Sequence, residues 1–269
     1  MSRTGFQRAQ TGLHFYPSSH RYKLDGKWVP GVTTILGVLD KPALPKWSAG
    51  EVAAYVADNP DGVEELRRLG RDPMVAALKG IPWAKRDAAA DRGNVLHDYA
   101  EQLLHGQEVD VDEAHVPVIE NALRFMEDWH IEPLLIEFPV ASREHRWAGT
   151  GDLIAHYVHP VTKAPGVGVF DWKSGKRLYP EHAWQFAAYG HGEFTGLGGD
   201  EKPLPLCDSA YGVHIRPDGY DVAPFNYGPD IYAEFLAIRA VYDIAKAGRG
   251  DWRTPGSGHM GLLIQPSED

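Results

Sequence analysis

The first half of the chain changes from short apolar stretches to helical periodicity. Between residues 13 and 36, apolar residues separated by turn signals predict short strands, with turns at Pro17-Ser18-Ser19 and Asp25-Gly26. Beyond this region, apolar residues recur near the helical period, which predicts helices over 46–58, 61–70, 83–106 and 111–130. The last of these helices contains Pro117 near its start.

The second half has a different pattern, with three apolar strands following one another. They are predicted over 133–142, 147–159 and 166–176. A helix over 180–194, a hairpin over 209–225 that turns at Pro217-Asp218-Gly219, and an amphipathic helix over 228–248 follow. This order predicts an α/β or α+β core with a helical N-terminal elaboration. We expect a single domain over 1–252, made of strands and helices over 1–90 and a core over 91–252, and a loose tail over 253–269.

Composition narrows the class of protein. The chain has 269 residues, 43% hydrophobic and 24% charged, as in an ordinary globular protein. No apolar run approaches the roughly 18 residues that span a bilayer, and the first ten residues lack a signal-peptide apolar region. We therefore expect a cytoplasmic protein without a membrane partner. Cys207 is the only cysteine, which excludes an internal disulfide, a four-cysteine zinc site and an iron–sulfur cluster.

The net charge of −10 argues mildly against a protein that coats nucleic acid non-specifically. A role on nucleic acid would need a local basic groove, together with divalent metal to offset clustered carboxylates. Candidate phosphate contacts are Lys41, Lys46, Arg86, Arg92, Lys176 and Arg177; scattered surface charge explains them equally well. Aromatic residues near the N-terminus, namely Phe15, Tyr16, Tyr22 and Trp28, either pack in a core or stack on single-stranded bases.

An acid and an amine stand two positions apart in the strand GVGVFDWKSGK. Because strand side chains alternate with a period of two, Asp171 and Lys173 point the same way and Trp172 points to the opposite face. In isolation this pattern is more typical of an ordinary ion pair where a strand emerges into solvent.

A second acid, Asp152, follows GTG at the predicted start of the preceding strand. If the two strands are neighbours, Asp152 and Asp171 meet at one end of the sheet. Two nearby carboxylates repel unless a proton or a cation lies between them, and Mg²⁺ and Mn²⁺ prefer oxygen ligands. The competing interpretation is that Asp152 caps a turn.

Three further positions have polar side chains that could join this site. His97 lies on the predicted long helix, and an imidazole would favour Mn²⁺ over Mg²⁺. Gln185 and Tyr189 are four apart and share a helical face. Glu137 is an acid in an apolar strand, where a buried carboxylate needs a partner. Each has a plainer explanation, as a surface residue, a core residue or a polar helix edge.

The order of these motifs resembles the PD-(D/E)XK nuclease superfamily, and within it the RecB-like exonuclease branch. It consists of a helix with R-G-x-x-x-H at 92–97, a strand with Glu137, G-x-G-D at 149–152, D-x-K at 171–173 and a helix with Q-x-x-x-Y at 185–189. The resemblance implies a central mixed sheet flanked by helices. The first acid follows Gly151 where proline is the family's pattern, and the cluster of four cysteines found in some relatives cannot form here.

The resemblance also implies roles for individual residues. Asp152 and Asp171 match the metal-binding acids, Lys173 the catalytic lysine, and His97 an additional metal ligand. Glu137 matches the acid of the first core strand, and Gln185 and Tyr189 match the helix motif that supports the site and contacts DNA. The backbone carbonyl of Trp172 would add a ligand to one or two Mg²⁺ or Mn²⁺ ions. Arg92, Lys176 and Arg177 are expected to bind DNA.

The implied function is a metal-dependent deoxyribonuclease, an exonuclease of recombination, repair or phage DNA metabolism. A helicase or a single-strand annealing or binding protein would be its partner, in a bacterial or phage-infected cell. An endonuclease or an RNA-directed nuclease on the same core stays open, as does a non-catalytic nucleic-acid-binding module. The presence of Asp152, Asp171 and Lys173 argues against the non-catalytic module.

Overall fold

The N-terminal region forms a small sheet of its own in the computed structural model, which describes residues 11–175 and 177–248. Strands β1 (Leu13–Tyr16), β2 (Arg21–Leu24) and β3 (Lys27–Val29) pair antiparallel. A 3₁₀ turn over Pro17–Ser19 joins the first two strands, and Asp25-Gly26 turns into the third, so both predicted turns are confirmed. The predicted tail and Lys176 lie outside the described residues.

The strand prediction is wrong after residue 31. Helix α1 (Val32–Leu36) occupies this stretch, although its two threonines favour a strand. Val32 and Ile35 are both buried in one cluster under the main sheet. Their spacing of three residues brings them to one side only in a helix, so tertiary burial overrides the local preference.

Four longer helices follow, and their bounds differ from those predicted. They are α2 (Ala43–Asp58), α3 (Pro60–Arg68), α4 (Arg71–Leu104) and α5 (Val116–Asp128). Helix α4 begins at Arg71, well before residue 83, and continues through Pro82. Pro82 has no backbone N–H to donate within the helix, and burial of its ring offsets this loss. Helix α5 has Pro117 in its first turn, where backbone N–H groups lack helical partners in any case.

A six-stranded mixed sheet forms the centre of the molecule. Its strands are β4 (Glu132–Ser142), β5 (Trp147–Val158), β6 (Pro165–Lys173), β7 (Phe194–Thr195), β8 (Ser209–Arg216) and β9 (Gly219–Pro224). Their order is β7-β4-β5-β6-β8-β9, and only β6 and β8 run parallel. With helices on its faces, this arrangement confirms the predicted α/β class.

The two faces of the sheet are covered by different helices. One core contains residues of α4 and α5 together with Phe170 and Trp172. The other contains α1, α6 (His182–Gly190) and α7 (Pro229–Gly248) together with Val169. Since neighbouring residues of β6 enter opposite cores, the predicted alternation along this strand is confirmed.

The region after β6 differs from its prediction at one helix and agrees with it at the hairpin and the last helix. The helix predicted over 180–194 ends at Gly190, because Phe194 joins the sheet opposite Ala141 as part of β7. The predicted hairpin and final helix are confirmed. Among the described residues, no helix combines the length and the apolar character needed to cross a membrane.

Candidate metal centre

Two acids lie side by side where β5 and β6 stop pairing regularly. The last paired residues are Leu153 and Phe170, and Asp152 and Asp171 come next on the two strands. Both acids are buried. Asp152 lies in the middle of β5 and not at its start as predicted, because the strand extends back to Trp147 along β4. The backbone N–H of Trp172 donates a hydrogen bond of 2.7 Å to Oδ2 of Asp152, which fixes this carboxylate between the strands.

Helix α4 and strand β4 add a histidine and a third acid to the pair. Nδ1 of His97 lies 3.5 Å from Oδ2 of Asp152 and 3.7 Å from Oε1 of Glu137. One ligand atom from each of these three residues falls within 4.8 Å of the others, the spacing that a shared metal ion requires. The sequence resemblance had assigned Glu137 to the first core strand without making it a metal ligand.

Glu137 reaches this position through an unusual backbone conformation. Its φ is +43°, in the left-handed region that non-glycine residues rarely adopt. Ile136 and Phe138 are two residues apart, yet they pack against opposite cores, so the strand turns over at Glu137. Backbone outliers of this kind concentrate at functional sites, where the surrounding structure holds them in place. No feature of the sequence around residue 137 predicts this turn.

Asp171 is held by a lysine and a glutamine. Nζ of Lys173 forms an ion pair with Oδ2 of Asp171. On α6, Nε2 of Gln185 donates hydrogen bonds to Oδ1 of Asp171 at 3.0 Å and to the Tyr189 hydroxyl at 3.2 Å, while Oε1 accepts one from Lys173 at 3.4 Å. The amide of Gln185 therefore connects all three side chains and orients the acid and the amine.

The glycines before Asp152 are required by close packing. A Cβ on Gly151 would lie 2.4 Å from the Phe138 ring, and one on Gly149 would lie 2.8 Å from the Tyr189 ring. Real Cβ atoms are essentially never that close to another atom. Since Tyr189 contacts Gln185, the G-x-G spacing also lets α6 approach the strand that carries Asp152.

The cluster has more acids than bases, and the pKa values of its members are raised. Burial and the nearby Asp171 raise the pKa of Asp152 to about 8. Burial alone would lower the pKa of His97, but Glu137, Asp152 and Asp171 raise it to about 9. Burial likewise opposes the charge of Lys173, yet Asp171 and Asp152 raise its pKa. Three acids thus face one lysine and one histidine, and Asp152 stays buried without a metal by retaining its proton. A bound cation would take the place of that proton.

The cluster opens into a cleft of about 570 Å³. The small N-terminal sheet forms one wall of this cleft through Phe15, His20 and Tyr22. The Tyr22 hydroxyl is hydrogen-bonded to Oγ1 of Thr150, 2.9 Å away, and so joins this wall to the strand of Asp152. The sequence had offered Phe15 and Tyr22 only as core or stacking candidates, and it did not single out His20. Thr150 was missed too, since no pattern links positions so distant in the chain.

A second residue that sequence reasoning missed is His214, which lies beside Lys173 in the parallel pairing of β8 with β6. Its Nε2 is 2.6 Å from the carbonyl oxygen of Gly175, which can only accept a hydrogen bond, so Nε2 carries the proton. Nη1 of Arg216 then donates to Nδ1 at 3.1 Å. The first bond holds Gly175, two residues after Lys173, and the second orients the imidazole.

The residues predicted to bind DNA are not all brought to the cleft. Arg92 and Arg177 are exposed and do not line it, although Arg177 lies 4.9 Å from the Tyr179 ring. Gly93, next to Arg92, faces Oγ of Ser174, 3.2 Å from where a Cβ would lie. Lys176 is outside the described residues, and the Trp172 carbonyl as a metal ligand stays a prediction.

The donor set fits a divalent cation with mixed oxygen and nitrogen ligands. His97, Glu137 and Asp152 offer one nitrogen and two carboxylates, which suits Mn²⁺ or Mg²⁺ better than a soft metal that needs thiolates. Comparison of the chain with models of protein families and with curated proteins finds no match. The chemistry of this cluster is therefore the basis for assigning a function.

Proposed function

We propose that this protein is a metal-dependent deoxyribonuclease with a PD-(D/E)XK core of the RecB-like exonuclease branch. One observation carries the proposal. Three acids, one histidine and one lysine from α4, β4, β5 and β6 converge in a single cleft. In the sequence these residues have the order and spacing of that superfamily, and the mixed sheet supplies a compatible framework.

His97, Glu137, Asp152 and Asp171 would hold one or two Mg²⁺ or Mn²⁺ ions. The imidazole nitrogen of His97 favours Mn²⁺. A divalent cation bound there would supply Lewis acidity toward a phosphodiester and lower the pKa of a bound water.

Lys173 is the protein's own cationic group at the reacting centre. Its ammonium is held beside Asp171 by the ion pair and by Gln185, so it is positioned before substrate arrives. There it can orient the attacking water and stabilise the negative charge that develops on the phosphate oxygens as water adds and the P–O ester bond breaks. Tyr189 stays protonated, since burial and Asp171 raise its pKa. Its hydroxyl oxygen accepts a hydrogen bond from Nε2 of Gln185 and so holds the amide in place.

DNA as the substrate, exonucleolytic cleavage and a role in recombination, repair or phage DNA metabolism follow from the resemblance in sequence. The same holds for a helicase or a single-strand annealing or binding protein as partner. A polyanionic substrate is consistent with a site that needs added cations, because the protein alone offers few positive charges at the cleft.

The test is digestion of end-labelled linear and circular DNA, single- and double-stranded, with Mn²⁺, Mg²⁺ or EDTA. Lys173→Ala should abolish digestion. Lys163→Ala is the matched control, because Lys163 is an exposed lysine in the turn at the opposite end of the same strand pair. Metal-dependent loss of linear DNA only, in wild type and Lys163→Ala, would support an exonuclease and give its polarity.

Other outcomes separate the remaining possibilities. Cutting of circular DNA would keep the chemistry and make the protein an endonuclease. Degradation of RNA in place of DNA would change the substrate. If no metal supports cleavage, or if Lys173→Ala cleaves as fast as wild type, the catalytic proposal is wrong.

A further inference from the structure

The N-terminal sheet has one face that packs on the molecule and one that faces solvent. On the packed face, Leu13, Tyr22, Leu24 and Val29 are buried against the main sheet. The solvent face has a group of four residues, which we name the outer-face cluster: Tyr16, Arg21, Lys23 and Trp28. Strand alternation places all four on this face. Arg21 and Lys23 flank Tyr22 of the packed face, Trp28 pairs with Lys23, and Tyr16 pairs with Arg21.

Aromatic rings and cations are interleaved in the outer-face cluster. The centroids of Tyr16 and Trp28 are 5.1 Å apart. The guanidinium of Arg21 lies 3.9 Å from the Trp28 centroid, and Nζ of Lys23 lies 5.0 Å from it. Trp28 is nevertheless 46% exposed, which is unusual for the largest apolar side chain.

The local charge of this sheet is opposite to that of the whole chain. Between residues 13 and 29 there are three lysines and arginines and a single acid, Asp25, on a chain with a net charge of −10. Asp25 is bound by Arg143 and by the backbone N–H of Gly12. The cations of the outer-face cluster are therefore free to attract an anion.

The outer-face cluster is continuous with the cleft of the metal centre. Pro17 and His20, at the two ends of the turn between β1 and β2, line that cleft. Tyr16 and Arg21 come immediately before and after this turn and pair with each other. An extended polymer that leaves the cleft across this turn therefore meets Tyr16 and Arg21 of the outer-face cluster next.

We propose that the outer-face cluster is a binding site for single-stranded DNA that extends from the cleft. Bases stack on Trp28 and Tyr16, and the phosphates between them contact Arg21 and Lys23. A duplex cannot use these rings, because its bases are already stacked and paired. The inference rests on the proposed function, since it gives the strand entering the metal centre a path on the surface.

The experiment measures binding of a labelled 15-nucleotide single strand, of mixed sequence and without hairpins, by fluorescence anisotropy in EDTA. Trp28→Leu keeps apolar bulk but removes the aromatic face, and should weaken binding about 5- to 150-fold. Trp28→Phe should recover part of the affinity. Trp83→Leu is the matched control, because Trp83 is 58% exposed, lies under Arg86 at 4.5 Å and does not line the cleft. Its affinity should equal that of wild type.

Three results would overturn the inference. The first is wild-type affinity in Trp28→Leu while thermal melting shows both proteins folded. The second is an equal loss of affinity in Trp28→Leu and Trp83→Leu. The third is a loss of affinity in Trp28→Leu that is as large for blunt duplex as for single strand. Because EDTA prevents metal-dependent turnover, the two proposals can fail separately. Metal-dependent DNA cleavage by wild type with unchanged binding by Trp28→Leu would overturn only the outer-face site, whereas ring-dependent binding without cleavage by any metal would overturn only the nuclease.

Discussion

Two carboxylate clusters lie along strands β4 and β5, and they hold their charges in opposite ways. Just beyond the end of β4, Arg143 joins Asp25 at 2.9 Å and Glu201 at 2.8 Å. We name Asp25, Arg143 and Glu201 the Arg143 cluster. Its hydrogen bond from Arg143 lowers the pKa of Asp25, and the two acids raise that of Arg143. The cluster ties the N-terminal sheet to the core, and the arginine keeps Asp25 ionised.

In the candidate metal centre, in the middle of the same strand pair, the pKa of an acid is raised and not lowered. Burial and Asp171 raise the pKa of Asp152, so this cluster retains protons that its acids would lose in water. A cluster that stabilised the fold by itself would resemble the Arg143 cluster. Strongly perturbed acids that face a cleft are typical of sites that bind a cation or do chemistry. The difference between the two clusters distinguishes a stabilising ion-pair cluster from a candidate functional site.

The largest difference between the two clusters is expected when the cation of each is removed. Lys173→Met should lower the rate of DNA cleavage about 10²- to 10³-fold, since it removes a positioned charge from the reacting centre. Arg143→Met removes a cation with a similar side-chain length and should leave the rate unchanged at a temperature where the variant is folded. Initial rates under saturating Mn²⁺ measure both. Equal losses would mean that Lys173 acts only through folding.

The next largest effect is expected on metal affinity. His97→Ala removes a ligand nitrogen and should weaken Mn²⁺ binding at least about tenfold, because loss of even an outer-shell partner costs 10- to 100-fold. His156→Ala, an exposed histidine further along β5, is the control. Isothermal titration calorimetry on protein stripped of metal gives both constants. Unchanged affinity in His97→Ala would place the cation elsewhere.

Neutralising one acid in each cluster should change stability in opposite directions. In metal-free protein near pH 7, Asp152→Asn should raise the free energy of unfolding by about 1–3 kcal/mol, because the amide is neutral without the proton that buried Asp152 must take up. Its oxygen can still accept a hydrogen bond from the backbone N–H of Trp172. Asp25→Asn should lower it by about 0.5–1 kcal/mol, as for an exposed ion pair. Urea unfolding measures both. A decrease for Asp152→Asn would mean that burying this acid does not cost stability.

The smallest expected effect is on the pH dependence of stability. The pKa values of His97 and Asp152 are raised above their ordinary values of 6.5 and 3.8, to about 9 and about 8. The folded state therefore binds more protons than the unfolded state. Stability is lost from about pH 4 to 8 through Asp152 and from about pH 6.5 to 9 through His97, so the two losses overlap between about pH 6.5 and 8. We expect metal-free wild type to lose about 1 kcal/mol more than Asp152→Asn over this range. Saturating Mn²⁺ should remove the difference, and parallel curves without metal would contradict it.

The fold was predictable wherever local pattern and tertiary burial agree. The strands around Asp171 and the hairpin at Pro217-Asp218-Gly219 show the alternation and turn residues of their type, and the structure has them. The prediction was wrong at Val32–Leu36 and at Phe194, where burial against distant elements overrides local preference. The early start of α4 was missed because Pro82 reads as a helix breaker.

The sequence by itself determined which side chains each element presents together. Asp171 and Lys173 share a face because strands have a period of two. Gln185 and Tyr189 share a face because residues four apart lie on the same side of a helix. Only the tertiary structure decided what these pairs meet. The left-handed turn at Glu137, the loop bond made by His214 and the cleft wall formed by Tyr22 all depend on contacts between residues far apart in the chain. Local periodicity cannot encode such contacts, because they arise from the packing of whole elements against one another.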